Sequence, residues 1–97
     1  MESLIEVITE FPPGWKVVKP ISVTLEIDDD GTIIISDDIF FKYGAGDTQA
    51  EALNAYIENL TVYYEVLEES ISDEYPENEK YLGFIKGYIQ RTRGNHG

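Results

Sequence analysis

The chain has no cysteine, one histidine and one methionine among its 97 residues, and only seven lysines and arginines. Without cysteine there is no disulfide scaffold, no thiolate zinc site and no thiol nucleophile. A cytoplasmic location is then the default expectation. Against the seven bases stand 19 acids, a formal net charge of −12 and a pI near 4.2. Nucleic-acid binders neutralise phosphate with a lysine- and arginine-rich surface, so no nucleic-acid partner is expected. Docking on anionic lipid is disfavoured for the same reason. No apolar run approaches the roughly 18 residues of a membrane span, and no basic stretch leads into an apolar one, so neither a transmembrane helix nor a signal peptide is expected. The single histidine, His96, stands in the polar, glycine-containing stretch 92–97, which reads as a frayed tail. A histidine base needs fixed geometry, so a Ser-His-Asp or Cys-His arrangement is not expected.

What remains is ample for one core. Hydrophobic residues make up 42% and aromatics 12%, and the length suits one domain over 1–97. Charge divides the chain into three blocks. Residues 1–46 hold nine acids and three bases, 47–79 hold ten acids and no base, and 80–97 hold four bases and no acid. The last two blocks should attract each other.

Residues 1–10 are ambiguous: Leu4 and Ile8 share a helical face, while Ile5 and Val7 suit a strand. Phe11-Pro12-Pro13-Gly14-Trp15 breaks any regular element, with Trp15 read as an apolar plug into the core. Residues 1–20 thus form an N-terminal arm. In 21–27, Ile21, Val23, Leu25 and Ile27 alternate with Ser22, Thr24 and Glu26, the pattern of a half-buried strand. Asp28-Asp29-Asp30-Gly31 is a hairpin turn, and Thr32–Ser36 returns. Asp37-Asp38 reads as a second turn and Ile39–Tyr43 as a third strand, ended by Gly44-Ala45-Gly46. Thr48 and Glu51 form a capping box that starts a helix near Gln49. The helical pattern runs about 22 residues, or roughly 33 Å at 1.5 Å per residue, with an apolar stripe through Leu53, Ile57, Leu60, Tyr64, Leu67 and Ile71. Strands of five to seven residues are shorter, so Val62 and Val66 on its flank need cover from the last segment or from another subunit. Residues 72–76 break the helix. Pro76 opens a second one over 76–91, with Tyr81, Leu82, Ile85, Tyr88 and Ile89 as its stripe. The expected fold class is α+β: a three-stranded antiparallel meander, four-stranded if residues 3–9 are extended, packed on one long helix and followed by a second. The core spans 21–71.

Several patterns suggest chemistry. Glu26, Asp28, Asp30, Gly31 and Asp37 fall at calcium-loop spacing, but Glu stands first where Asp belongs and Asp last where a bidentate Glu belongs, and the flanks read as strands rather than helices. A solvated turn is the better reading. Gly44-Ala45-Gly46 before a helix lacks the Gly-Lys-Ser/Thr ending of a phosphate loop, and Asp47 and Glu51 would repel phosphate. Tyr56, Tyr63, Tyr64, Tyr81 and Tyr88 could form an aromatic binding face, with packing between the two helices as the simpler account. No metal or other cofactor and no catalytic residue is expected.

The run from Ile21 to Leu60 resembles the HicB-like antitoxin domain. The likeness rests on the strand ISVTLEI, the Asp30-Gly31 turn, the strand TIIIS, and Gly46-Asp47-Thr48 followed by Glu51-Ala52 and Asn54-Ala55. About 40 of the 97 residues are covered. A Pro-Gly segment usual between the second and third strands is replaced by Ser36–Phe40. The C-terminal DNA-binding module of many members has no counterpart in 72–97. The resemblance implies a partial ribonuclease-H-like β-β-β-α arrangement without catalytic acids, and a small basic ribonuclease toxin as partner. Asp28, Asp29, Asp30, Asp37 and Asp38 are then the expected charged contact surface, since acidity speeds encounter with a basic protein. An exposed sheet edge offers backbone pairing to a partner strand. A homodimer of the same fold, formed through the sheet edge or the long helix and without a toxin, is the alternative.

Overall fold

The computed structural model describes residues 3–70 and 76–92. The expected break at 72–75, Ile71 and His96 lie outside the described residues. In chain order the elements are β1 (Ser3–Ile8), β2 (Trp15–Val17), β3 (Ile21–Ile27), β4 (Ile33–Ser36), β5 (Tyr43–Gly46), α1 (Gln49–Glu69), α2 (Pro76–Lys86) and β6 (Ile89–Arg91). The fold is α+β. A four-stranded antiparallel sheet in the order β1-β3-β4-β5 packs with the long helix, and a second helix follows. Leu25 faces both Leu4 of β1 and Ile35 of β4, and Ile21 faces Ile8.

Residues 3–8 are therefore the fourth strand, and the ambiguity of the N-terminus resolves to extended chain. The alternation in β3 sends Ile21, Val23 and Leu25 into the core, while Ser22, Thr24 and Glu26 face outward. Ile27, at the strand's end, is largely exposed.

The expected third strand over Ile39–Tyr43 is not there. Residues 37–42 form a loop and the strand is Tyr43–Gly46. Glycines expected to end a strand instead make one, because α1 lies directly over it. A Cβ on Gly44 would overlap the backbone N of Tyr56, and one on Gly46 would come within 2.8 Å of the backbone N of Ala52. Only glycine lets helix and strand backbones approach this closely.

The helix starts where its cap requires. The Thr48 hydroxyl accepts from the Glu51 N–H at 3.1 Å. The Glu51 carboxylate returns to the Asp47 N–H at 2.9 Å, one residue before the position a capping box would use. Ala52, Tyr56, Ile57, Leu60, Tyr64 and Leu67 are buried.

The C-terminal helix ends at Lys86 rather than at residue 91. Gly87 and Tyr88 close its last turn on Phe84 and Ile85, and β6 then pairs antiparallel with β2, Val17 against Ile89 and Trp15 against Arg91. The N-terminal arm and the chain's last described strand thus clasp each other beside α1. Trp15 meets Tyr64 edge-to-face at 5.0 Å between ring centres. Arg91 reaches Glu65 and Glu68 at 3.2 and 3.1 Å. The attraction between the acidic and basic blocks is realised here through a strand rather than a second helix.

Candidate protein-binding surface

The five aspartates do not form one surface. Asp28, Asp29 and Asp30 are exposed at the tip of the β3–β4 hairpin. Its loop closes through Asp28 N–H to Thr32 O (2.8 Å), and Gly31 has φ +91°. The Thr32 N–H donates to Asp30 at 3.0 Å, which holds the Asp30 carboxyl below the ordinary carboxylate value. Because Gly46 of β5 pairs with Ile33, Asp47 follows β5 at this same end of the sheet, also exposed. Asp37 and Asp38 lie at the other end of β4, about 17 Å away along a strand at 3.3 Å per residue.

Asp37 leaves the expected contact surface altogether. It is 6% exposed. Its Oδ1 accepts from the backbone N–H groups of Ile39, Phe40 and Phe41 at 2.9, 2.6 and 2.8 Å, and its Oδ2 accepts the Tyr56 hydroxyl. The carboxylate is a structural post that gathers three amides a β-ladder would otherwise need. That is why 39–41 cannot be strand. The Tyr56 phenol is pushed up from its ordinary value, first by burial and then by the Asp37 hydrogen bond. Asp38 remains exposed. Glu26, Asp28, Asp30 and Asp37 do not converge, and among the described residues no group of three or more His, Asp or Glu side chains could hold a metal ion.

The Asp37 post has a consequence for the next residues. Phe40 turns into the core, while Phe41 takes φ +58° and stands 81% exposed. A bulky residue in the left-handed region is strained. Phe41 adjoins an open groove with Tyr43, Val62, Tyr63 and Val66, where Lys42 lies 4.2 Å from the centre of the Tyr63 ring. Tyr64, which meets Trp15, and Leu67 are buried, but Val62 and Val66 stay about half exposed. The tyrosines divide in the same way. Tyr56 and Tyr64 are buried, Tyr88 packs on Phe40 and Phe84, and Tyr81 stays half exposed.

A second apolar surface lies at the opposite edge of the sheet. In β1, Leu4, Ile5 and Val7 are 55%, 73% and 56% exposed. The exposed face of Phe41 has no counterpart in the sequence expectations, which include an exposed sheet edge without placing it on β1. The signal for the edge was present in SLIEVI, which is apolar on both alternating sets and so cannot be a simple half-buried strand. No residue pattern announced the left-handed Phe41. Compared with protein-family models, curated proteins and solved structures, the chain matches none.

Proposed function

We propose that the chain is a non-catalytic protein-binding module of the HicB-like antitoxin kind, which captures and neutralises a small basic ribonuclease toxin. The observation that carries this reading is the exposed acidic end of the sheet, Asp28-Asp29-Asp30 with Asp47, on a molecule of net charge −12. Carboxylates fixed on a rigid hairpin attract a basic partner and orient it before contact. Asp38 belongs to a separate patch, and Asp37 is reserved for the fold.

The test is co-purification from the native host, followed by a ribonuclease assay on the retained small basic protein. The expected result is retention, loss of RNA cleavage on adding the chain, and weaker binding as salt rises. A chain that retains no basic ribonuclease refutes the reading. The half-exposed Val62 and Val66 beside Phe41 favour a second reading, a homodimer without a toxin. Salt separates the two, because screening weakens the union of opposite charges and strengthens that of two equally acidic copies.

A further inference from the structure

Edge strands invite pairing, and folded proteins blunt them by keeping them short, covering them, or placing proline or lysine on them. The two edges of this sheet differ in that respect. β5 has four residues, two of them glycine, and lies under α1. β1 has six residues, Ser3–Ile8, with neither proline nor lysine. Among the described residues it pairs only with β3. Among the described residues nothing covers its outward row of N–H and C=O groups, Glu6 is its one charged side chain, and its apolar side chains are exposed on both faces.

Register decides what lies on each face. Ile5 and Val7 pair with Thr24 and Ser22, so they stand on the sheet's outer face, while Leu4 and Glu6 stand on the helix side with Leu25 and Val23. On the helix side a cleft of about 270 Å³ opens between β1 and the start of α1. Val23, Ile35 and Leu53 line it as apolar wall, with Glu6, Thr9, Glu10 and Gln49 as its polar groups. It is smaller than the ~300–1,000 Å³ of sites that engulf whole small molecules. A cleft with an apolar wall, a polar rim, two carboxylates and no base suits the stem and charged head of one lysine or arginine. Strands β1, β3 and β4 carry Glu6 and Glu26 and no basic residue. A second copy of this chain would add a net charge of −12 to the same edge and place no basic side chain in β1 against Glu6.

We infer that β1 is a docking edge for an extended segment of a basic protein. The segment adds as a further antiparallel or parallel strand, packs apolar side chains beside Ile5 and Val7, and sends a lysine or arginine from its other face into the Glu6–Glu10 cleft. This deepens the proposed capture of a basic partner and rests on it for the partner's identity. Backbone pairing supplies affinity, and the alternate side chains supply specificity.

The probes are three synthetic twelve-residue peptides: alternating valine and lysine, the same peptide N-methylated at every second residue, and alternating valine and glutamate. Amide exchange and chemical shifts across the full chain report where each binds. The valine–lysine peptide is expected to slow exchange at alternate amides of Ser3–Ile8. N-methylation, which blocks donation along one side of the strand, and the substitution Glu6→Gln should each weaken binding about ten-fold, the equivalent of 1.4 kcal/mol. The assignment is overturned if shifts appear at Asp28–Asp30 or α1 without β1, or if the glutamate peptide binds as well. It is also overturned if the free chain doubles its 11.0 kDa mass through β1. Failure of the toxin reading is distinct. If no ribonuclease is retained yet the peptide protects β1, the edge stands and the toxin reading falls. If a ribonuclease is inhibited and Glu6→Gln and Ile5→Ser leave that inhibition unchanged, the toxin reading stands and the edge falls.

Discussion

Asp37 governs more of this molecule than any other single residue. One carboxylate satisfies three loop amides and the buried hydroxyl of Tyr56. Asp37→Ala leaves all four donors without an acceptor. Hydrogen bonds to a charged group contribute about 1.5–3 kcal/mol each where buried, and they are not additive. The variant is therefore expected to lose about 3 kcal/mol or more in urea denaturation. Tyr56 adds a pH signature. Its phenol is raised in the folded state, whereas in the unfolded chain it ionises near pH 10. Below about pH 10 both states hold the proton and stability is flat. Above it the unfolded state loses the proton first, so stability falls by up to about 1.4 kcal/mol per pH unit. Alkaline titration of the midpoint should show this limb, and Tyr56→Phe should reduce it to the part contributed by Tyr63 and Tyr64, whose phenols burial also raises. Phe41 is strained by its left-handed backbone at roughly 1–2 kcal/mol. Phe41→Gly relieves that strain against a greater loss of chain entropy of about 0.5–1 kcal/mol. A net gain of up to about 1 kcal/mol, read as a higher urea midpoint, is expected.

At the scale of elements, the residues that announced themselves were those with strong local chemistry. Ile21–Ile27 alternated and became a half-buried strand. Asp30-Gly31 turned, and Thr48 with Glu51 opened α1 at Gln49. The third strand was misplaced because Ile39-Phe40-Phe41 has high strand propensity, and propensity yields when a buried side chain claims the backbone amides. Nothing local says that Asp37 meets Tyr56, 19 positions away. The same holds for β6. Ile89 lies on a helical stripe with Ile85, and only its pairing with Val17 makes it strand. The candidate surface was legible as acidity, while its division between two ends of a hairpin depended on register. Gly44 offers the clearest test of how α1 sits on β5. Gly44→Ala forces its Cβ into the Tyr56 backbone, which cannot yield as a flexible side chain would. A loss of about 3 kcal/mol, the upper end for overpacking, is expected by thermal or urea unfolding. Thr48→Ala should cost about 1 kcal/mol through the lost cap.

For the whole molecule, the surface carries far more acid than base, and the described ion pairs join Arg91 to Glu65 and Glu68. Both are half-exposed surface pairs, each contributing roughly 0–1 kcal/mol. Removing them and the Arg91–Trp15 ring contact by Arg91→Gln should cost no more than about 2 kcal/mol in urea denaturation. Raising salt from about 0.05 to about 0.5 M shortens the range of the molecule's field to a few ångströms. Association with a basic protein should then slow markedly, mainly in the on-rate.

The clasp between β2 and β6 joins positions near the two extremes of the chain. Closing so distant a contact costs more chain entropy than closing the β3–β4 hairpin, so the clasp is expected to form after it. The molecule's sole tryptophan sits in that clasp against Tyr64. Its fluorescence is therefore a built-in optical gauge of that clasp, readable without any label.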